Sequence, residues 1–77
     1  MKVTVYTKPN CMACDATKRY LTDKGIEFDV VDVMADEQAL QHVKDLGAQG
    51  MPVITADGHE PIFGFRPDQL TKLVQND

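Results

Sequence analysis

Along residues 2–7 the chain alternates apolar and polar positions with a period of two, Val3 and Val5 interleaving with Thr4 and Tyr6. β-Branched and aromatic residues in that pattern predict a strand. Pro9 then removes a backbone donor and forces a turn, Asn10 is a candidate N-cap, and Cys11 falls in the first turn of a helix. Apolar positions shift to helical spacing through Ala13, Ala16, Thr17, Tyr20 and Leu21, a narrow stripe that stops before Gly25. Residues 26–33 return to strand character, with Ile26, Phe28 and Val30 against Glu27 and Asp29. Asp36 caps a second helix that carries Ala39, Leu40, Val43 and Leu46 on one face and stops at Gly47. A third strand is predicted over 51–55 and a short fourth near 61–63, joined by a tight turn at Asp57-Gly58. Pro61 suits an edge strand. Pro67 opens a last helix with Asp68 in its first turn and Leu70, Leu73 and Val74 turned inward. The order is β-α-β-α-β-β-α, an α/β chain whose first two strands and intervening helix form a right-handed parallel βαβ unit.

Length and charge narrow the picture. With 77 residues and no linker, repeat or low-complexity run, residues 1–77 read as one domain with one core. A chain of that size buries only about 60–65% of its unfolded surface, so every layer has to pack. Small secreted domains compensate with several disulfides, which two cysteines cannot supply. The single bridge available here closes a very short loop and would contribute only about 2 kcal/mol as a staple. The formal net charge of −4 lacks the basic footprint that nucleic acid requires. The start has no long apolar segment, and no stretch approaches the roughly 20 apolar residues of a membrane span. A soluble, monomeric, cytoplasmic protein is expected, bound to neither membrane nor nucleic acid. In that compartment a disulfide is transient and catalytic rather than permanent.

The chemistry sits in Thr7-Lys8-Pro9-Asn10-Cys11-Met12-Ala13-Cys14, which holds both cysteines. A C-x-x-C at the start of a helix in a βαβ unit reads as a thioredoxin-like redox site. The spacing brings the two sulfurs to the same helix end, the first facing solvent and the second one turn deeper. Only a thiolate attacks a disulfide, so the first cysteine needs its charge stabilised near neutral pH. Free N–H groups at a helix start do this, by up to about 2 kcal/mol in a partly buried geometry. Lys8 adds attraction. Asp15 opposes by only about 0.2–0.5 kcal/mol, and Arg19 is placed to pair with it. Cys11 is thus the expected nucleophile and Cys14 the resolving thiol. Met12 and Ala13 carry no titrating group and bear on exposure and recognition alone. A structural zinc site would need about four ligands, and His42, His59 and scattered acids supply no second ligand pair. No metal is expected, and Asp36-Glu37 reads as a helix start.

Val5-Tyr6-Thr7-Lys8-Pro9-Asn10-Cys11 with Cys14 resembles the glutaredoxins and the NrdH-redoxins, and the element order is similar to theirs over essentially the whole chain. The resemblance implies a compact thioredoxin fold: a four-stranded mixed sheet with three helices. It places Met51-Pro52 at that fold's cis-proline, opposite the cysteines, where the Met51 backbone would pair with an extended partner segment. Glutathione-using glutaredoxins have a Gly-Gly-x-x-Asp type loop where this chain has Gly64-Phe65-Arg66-Pro67-Asp68, a signature that looks like the NrdH-redoxins, as does Ala16-Thr17-Lys18. Ile62-Phe63 stand where those proteins usually have Trp-Ser, and Met12-Ala13 where Val-Gln is commoner.

What the resemblance implies is a dithiol–disulfide electron carrier that binds no cofactor. Its electrons come from NADPH through thioredoxin reductase and pass to the large subunit of class Ib ribonucleotide reductase or to another disulfide-containing protein. Its site would comprise Cys11 and Cys14 as catalytic residues. Lys8, Met12, Ala13, Met51, Pro52, Gly64, Phe65 and Arg66 would meet the partner, with Pro9 and Asp68 as structural support. The plain alternative for Phe65 and Arg66 is a residue closing the core beneath a helix start and a solvated base. Three other functions stay open: a glutathione-dependent glutaredoxin, a general protein disulfide reductase, and a binding module switched by its disulfide without turnover.

Overall fold

β1 (Val3–Thr7) lies at the centre of the molecule because it is paired on both sides. It runs parallel to β2 (Asp29–Asp32) and antiparallel to β3 (Val53–Ala56), and β3 pairs antiparallel with the two-residue β4 (Ile62–Phe63). The sheet order is β2-β1-β3-β4. Helices α1 (Met12–Asp23), α2 (Glu37–Asp45) and α3 (Pro67–Val74) complete a four-stranded mixed sheet with three helices, the thioredoxin fold. The computed structural model describes residues 2–74.

The strand period of two divides the core between the two faces of the sheet. Val3, Val5, Ile54, Ala56 and Ile62 share one face with Leu21 of α1 and Leu70 and Leu73 of α3. Val53 and the partly buried Tyr6 take the other face, with Val33, Val43 of α2, Leu40 and Leu46. Among the described residues, no helix is long and apolar enough to cross a membrane.

Helix ends fall where the local chemistry puts them. The Asp36 carboxylate accepts from the Gln38 and Ala39 amides at 3.0 and 3.1 Å, satisfying two N–H groups that the helix cannot. Gly25 has φ +74, a conformation open to glycine at little cost, and closes α1 in a Schellman motif. Its amide donates to Thr22 O and the Ile26 amide to Leu21 O. The same pair of bonds ends α2 at Gly47 and Ala48.

Three boundaries differ from expectation, each for a physical reason. The Ile26 amide is committed to the cap of α1, so β2 begins at Asp29 rather than at residue 26, and Phe28 contributes only a half-buried side chain to the core. Pro52 has no N–H to give to a ladder, and β3 therefore starts at Val53 opposite Tyr6 and extends to Ala56 opposite Val3. At the first helix, Asn10 is not the cap. Cys11 is the N-cap, and Asn10 occupies the left-handed region at φ +58, which asparagine tolerates better than most residues.

Leu70 is fully buried where α3 meets the sheet. Leu70→Ala is expected to destabilise the protein by about 2–5 kcal/mol, seen as a lower urea midpoint with an unchanged slope.

Candidate redox site

The end of β1 delivers the chain through Lys8, Pro9 and the left-handed Asn10 to Cys11, whose extended backbone (φ −113, ψ 104) caps α1. A cap side chain normally offers oxygen to the unsatisfied amides of the first turn. Here sulfur takes that place, and the Cys14 N–H donates to Cys11 Sγ at 3.1 Å. The Cys11 carbonyl accepts from the Asp15 amide at 3.1 Å, so the residue is built into the helix start by both its backbone and its side chain. Cys11 and Cys14 are joined as a disulfide with their Cα atoms 5.2 Å apart. Cys14 has no exposure at all. Cys11 is 8% exposed, far less open than a solvent-facing residue. Met12, between them, is 88% exposed.

A second loop closes on the first sulfur. The Met51 carbonyl oxygen lies 3.8 Å from Cys11 Sγ, within reach of a thiol donor when the pair is reduced, and the Met51–Pro52 peptide is cis. Pro52 is buried, and its carbonyl accepts from the Gly64 amide at 2.9 Å. Gly64 has φ +81, which a side chain would strain although nothing stands where a Cβ would go. The carbonyl of Arg66 then takes the Gln69 and Leu70 amides at 3.0 and 2.9 Å, Pro67 occupies the first position of α3, and Asp68 sits exposed in its first turn. The 51–52 and 64–66 loops are thereby bonded to each other on one side of the sulfur. Lys8, Met12 and Ala13 adjoin it on the chain itself.

The structure thus brings together Cys11, Cys14 and Met51 directly, and Gly64 with Pro52 through one hydrogen bond. Phe65 is 38% exposed and Arg66 is exposed. Asp15 is held by Lys18, at 3.5 Å, rather than by Arg19. Spacing alone missed Tyr20. Placed in the buried stripe of α1, it stands half-buried, with its hydroxyl 2.7 Å from Thr71 Oγ1 and its ring edge-on to Phe65. A polar tip on a stripe residue was the available clue, since a buried tyrosine hydroxyl usually finds a partner. Among the described residues, no group of three or more His, Cys, Asp or Glu side chains could hold a metal ion.

A family model for the glutaredoxins matches residues 3–60. Among curated proteins, the gene 56 protein of Mycobacterium phage L5 is 49% identical over 73 residues, covering 94% of this chain and 71% of that protein. The glutaredoxin-like protein NrdH of Lactococcus lactis is 39% identical, covering 94% and 99%. Among solved structures, that of the Escherichia coli NrdH-redoxin, a glutaredoxin-like protein with a thioredoxin-like activity profile, superimposes with a TM-score of 0.90. It is 33% identical and covers 95% of each chain.

The left-handed turn before the cap is open to test. Asn10→Gly is expected to leave stability within about 0.5 kcal/mol, whereas Asn10→Val should cost about 1–2 kcal/mol. Urea unfolding of the oxidised protein measures both, and equal stability of the two variants would contradict the assignment.

Proposed function

The chain belongs to the glutaredoxin family of thiol–disulfide oxidoreductases, in its NrdH-type branch, and from that premise we propose that it carries electrons from NADPH-dependent thioredoxin reductase to class Ib ribonucleotide reductase. The observation that carries the chemistry is the Cys14 N–H directed at Cys11 Sγ. In the reduced protein the same amide, with the other free donors of the first turn, stabilises a thiolate on Cys11.

The Cys11 thiolate attacks one sulfur of the partner's disulfide, forming a mixed disulfide and releasing the partner's other sulfur as a thiolate. Cys14 loses its proton and attacks Cys11 Sγ. This forms the Cys11–Cys14 bond and releases the second partner thiolate, so two electrons have moved and the partner has become a dithiol. Thioredoxin reductase returns two electrons to the pair. No bound cofactor is needed.

Lys8, Met12, Ala13, Met51, Gly64, Phe65 and Arg66 form the surface offered to the partner, with Pro9 and Asp68 setting the flanking backbone; Pro52, expected there too, is fully buried and supports Met51 and Gly64 from within. An extended partner segment would lie along the Met51 backbone as a short added strand, which brings its disulfide to Cys11. Two observations favour a thioredoxin-like partner over glutathione. Phe65, Arg66 and Pro67 follow Gly64 where glutathione users have a second glycine, and the similar E. coli redoxin is described by a thioredoxin-like activity profile. The carrier works as a monomer in the cytoplasm.

Coupled NADPH oxidation compares the two reducing systems. Turnover with thioredoxin reductase and little with glutathione plus its reductase is expected; the reverse pattern makes the protein a glutathione-dependent glutaredoxin. Cys14→Ser is expected to accumulate a mixed disulfide on Cys11 and lose at least about 10²-fold in dithiol turnover, since the resolving step is absent. Intact mass under non-reducing conditions reads the adduct. Unchanged turnover would overturn the assigned roles, and partner binding in one redox state without turnover in the wild type would make the disulfide a switch.

A further inference from the structure

Tyr20 is set well along α1 from the reacting sulfurs, yet its contacts converge on the 64–67 loop. Its hydroxyl lies 2.7 Å from Thr71 Oγ1, and Thr71 Oγ1 donates to the Pro67 carbonyl at 2.8 Å. A threonine has a single hydroxyl proton, which here goes to Pro67, so Tyr20 is the donor to Thr71. The relay ties α1 to the first turn of α3. On its ring, Phe65 packs edge-on with centroids 6.3 Å apart at 67°, and Lys24 Nζ sits 5.6 Å from the centroid. At the other end of the loop, the Gly64 amide is bonded to Pro52 beside Cys11. Gly64 is therefore fixed from the sheet, while Phe65 and Pro67 are fixed from α1. Between those anchors the Phe65 and Arg66 side chains stay exposed.

We propose that Tyr20 is a positioning residue for partner recognition: through Phe65 and Thr71 it fixes the loop that a protein partner meets beside the redox pair. The proposal rests on the reading that Phe65 belongs to the partner surface. Tyr20 touches no sulfur and takes no part in exchange itself. Its ring orients Phe65, and its hydroxyl holds the helix start from which the loop hangs. Removing the ring frees both exposed side chains to sample other orientations, a cost met on binding rather than in chemistry.

The test separates binding from chemistry in Tyr20→Leu and Tyr20→Phe, the second keeping the ring. With thioredoxin reductase and NADPH, the KM for the redoxin is expected to rise about fivefold in Tyr20→Leu and about twofold in Tyr20→Phe, kcat holding in both. Single-turnover reduction of a small aromatic disulfide by the pre-reduced variants is expected to match wild type. In a Phe65→Ala background, Tyr20→Leu is expected to add no more than about twofold to KM, the share carried by the Thr71 bond, because the ring acts through Phe65. An unchanged KM alongside a lowered Tm would overturn the proposal, as would a KM increase of equal size with and without Phe65. Wild-type turnover with glutathione alone would sink the reductase reading by itself. The same variants are then compared on insulin as a protein disulfide, with the same pattern expected and the same results overturning it.

Discussion

One hydrogen bond organises this protein, the one from the Cys14 amide to Cys11 Sγ. Every helix begins with N–H groups that have no partner within it, and something must satisfy them. Oxygen side chains serve at most helix starts, as Asp36 does for α2. At α1 sulfur serves, so the contact that caps the helix is the same one that the proposed mechanism uses to hold charge on Cys11. Moving the sulfur off the cap would leave an orphan donor at the helix start. The left-handed Asn10 aims the chain into that cap, and β1, paired on both sides, holds the turn rigidly.

The two faces of the sheet divide the remaining work. The face packed by α1 and α3 carries the dithiol on one helix and the Phe65 loop ahead of the other, braced by Tyr20 and Thr71. On the face packed by α2, Met51 rests against the buried cluster of Val33, Val43 and Val53. The Pro52–Gly64 bond joins the products of both faces next to the sulfur. Since the molecule is small, no layer lies between these contacts and the core, and a change at the surface is transmitted directly into packing.

Most of the fold was legible because the signals that end its elements are local. Asp36, Gly25 and Gly47 each stand within a few residues of the backbone groups they satisfy, Pro67 lacks the N–H that a helix start leaves unpaired, and the apolar periods between them separate strand from helix. The element order and the cysteine pair followed from these. Strand ends were harder to place, since a ladder begins where a distant partner permits: Ile26 was claimed by Leu21, and β3 waited for Val53 to meet Tyr6. Asn10 illustrates an ambiguity of type, the same residue favouring both a cap and a left-handed turn. The Tyr20–Thr71 contact spans 51 positions, and no periodicity in either helix announces it. The depth of Cys11 was hidden for the same reason, since its cover comes from a loop 40 residues away.

That depth has a further consequence. With Cys14 fully buried and Cys11 retaining 8% exposure, burial favours Cys11 as the residue an outside molecule meets, whatever the relative acidity of the two thiols. An oxidant or a disulfide that modifies the reduced pair meets Cys11 first, and the sulfenic acid or mixed disulfide it leaves there lies beside an intramolecular thiol that can displace it. Against such oxidants the dithiol is protected by its own architecture, which sets the more open cysteine beside the thiol that can restore it.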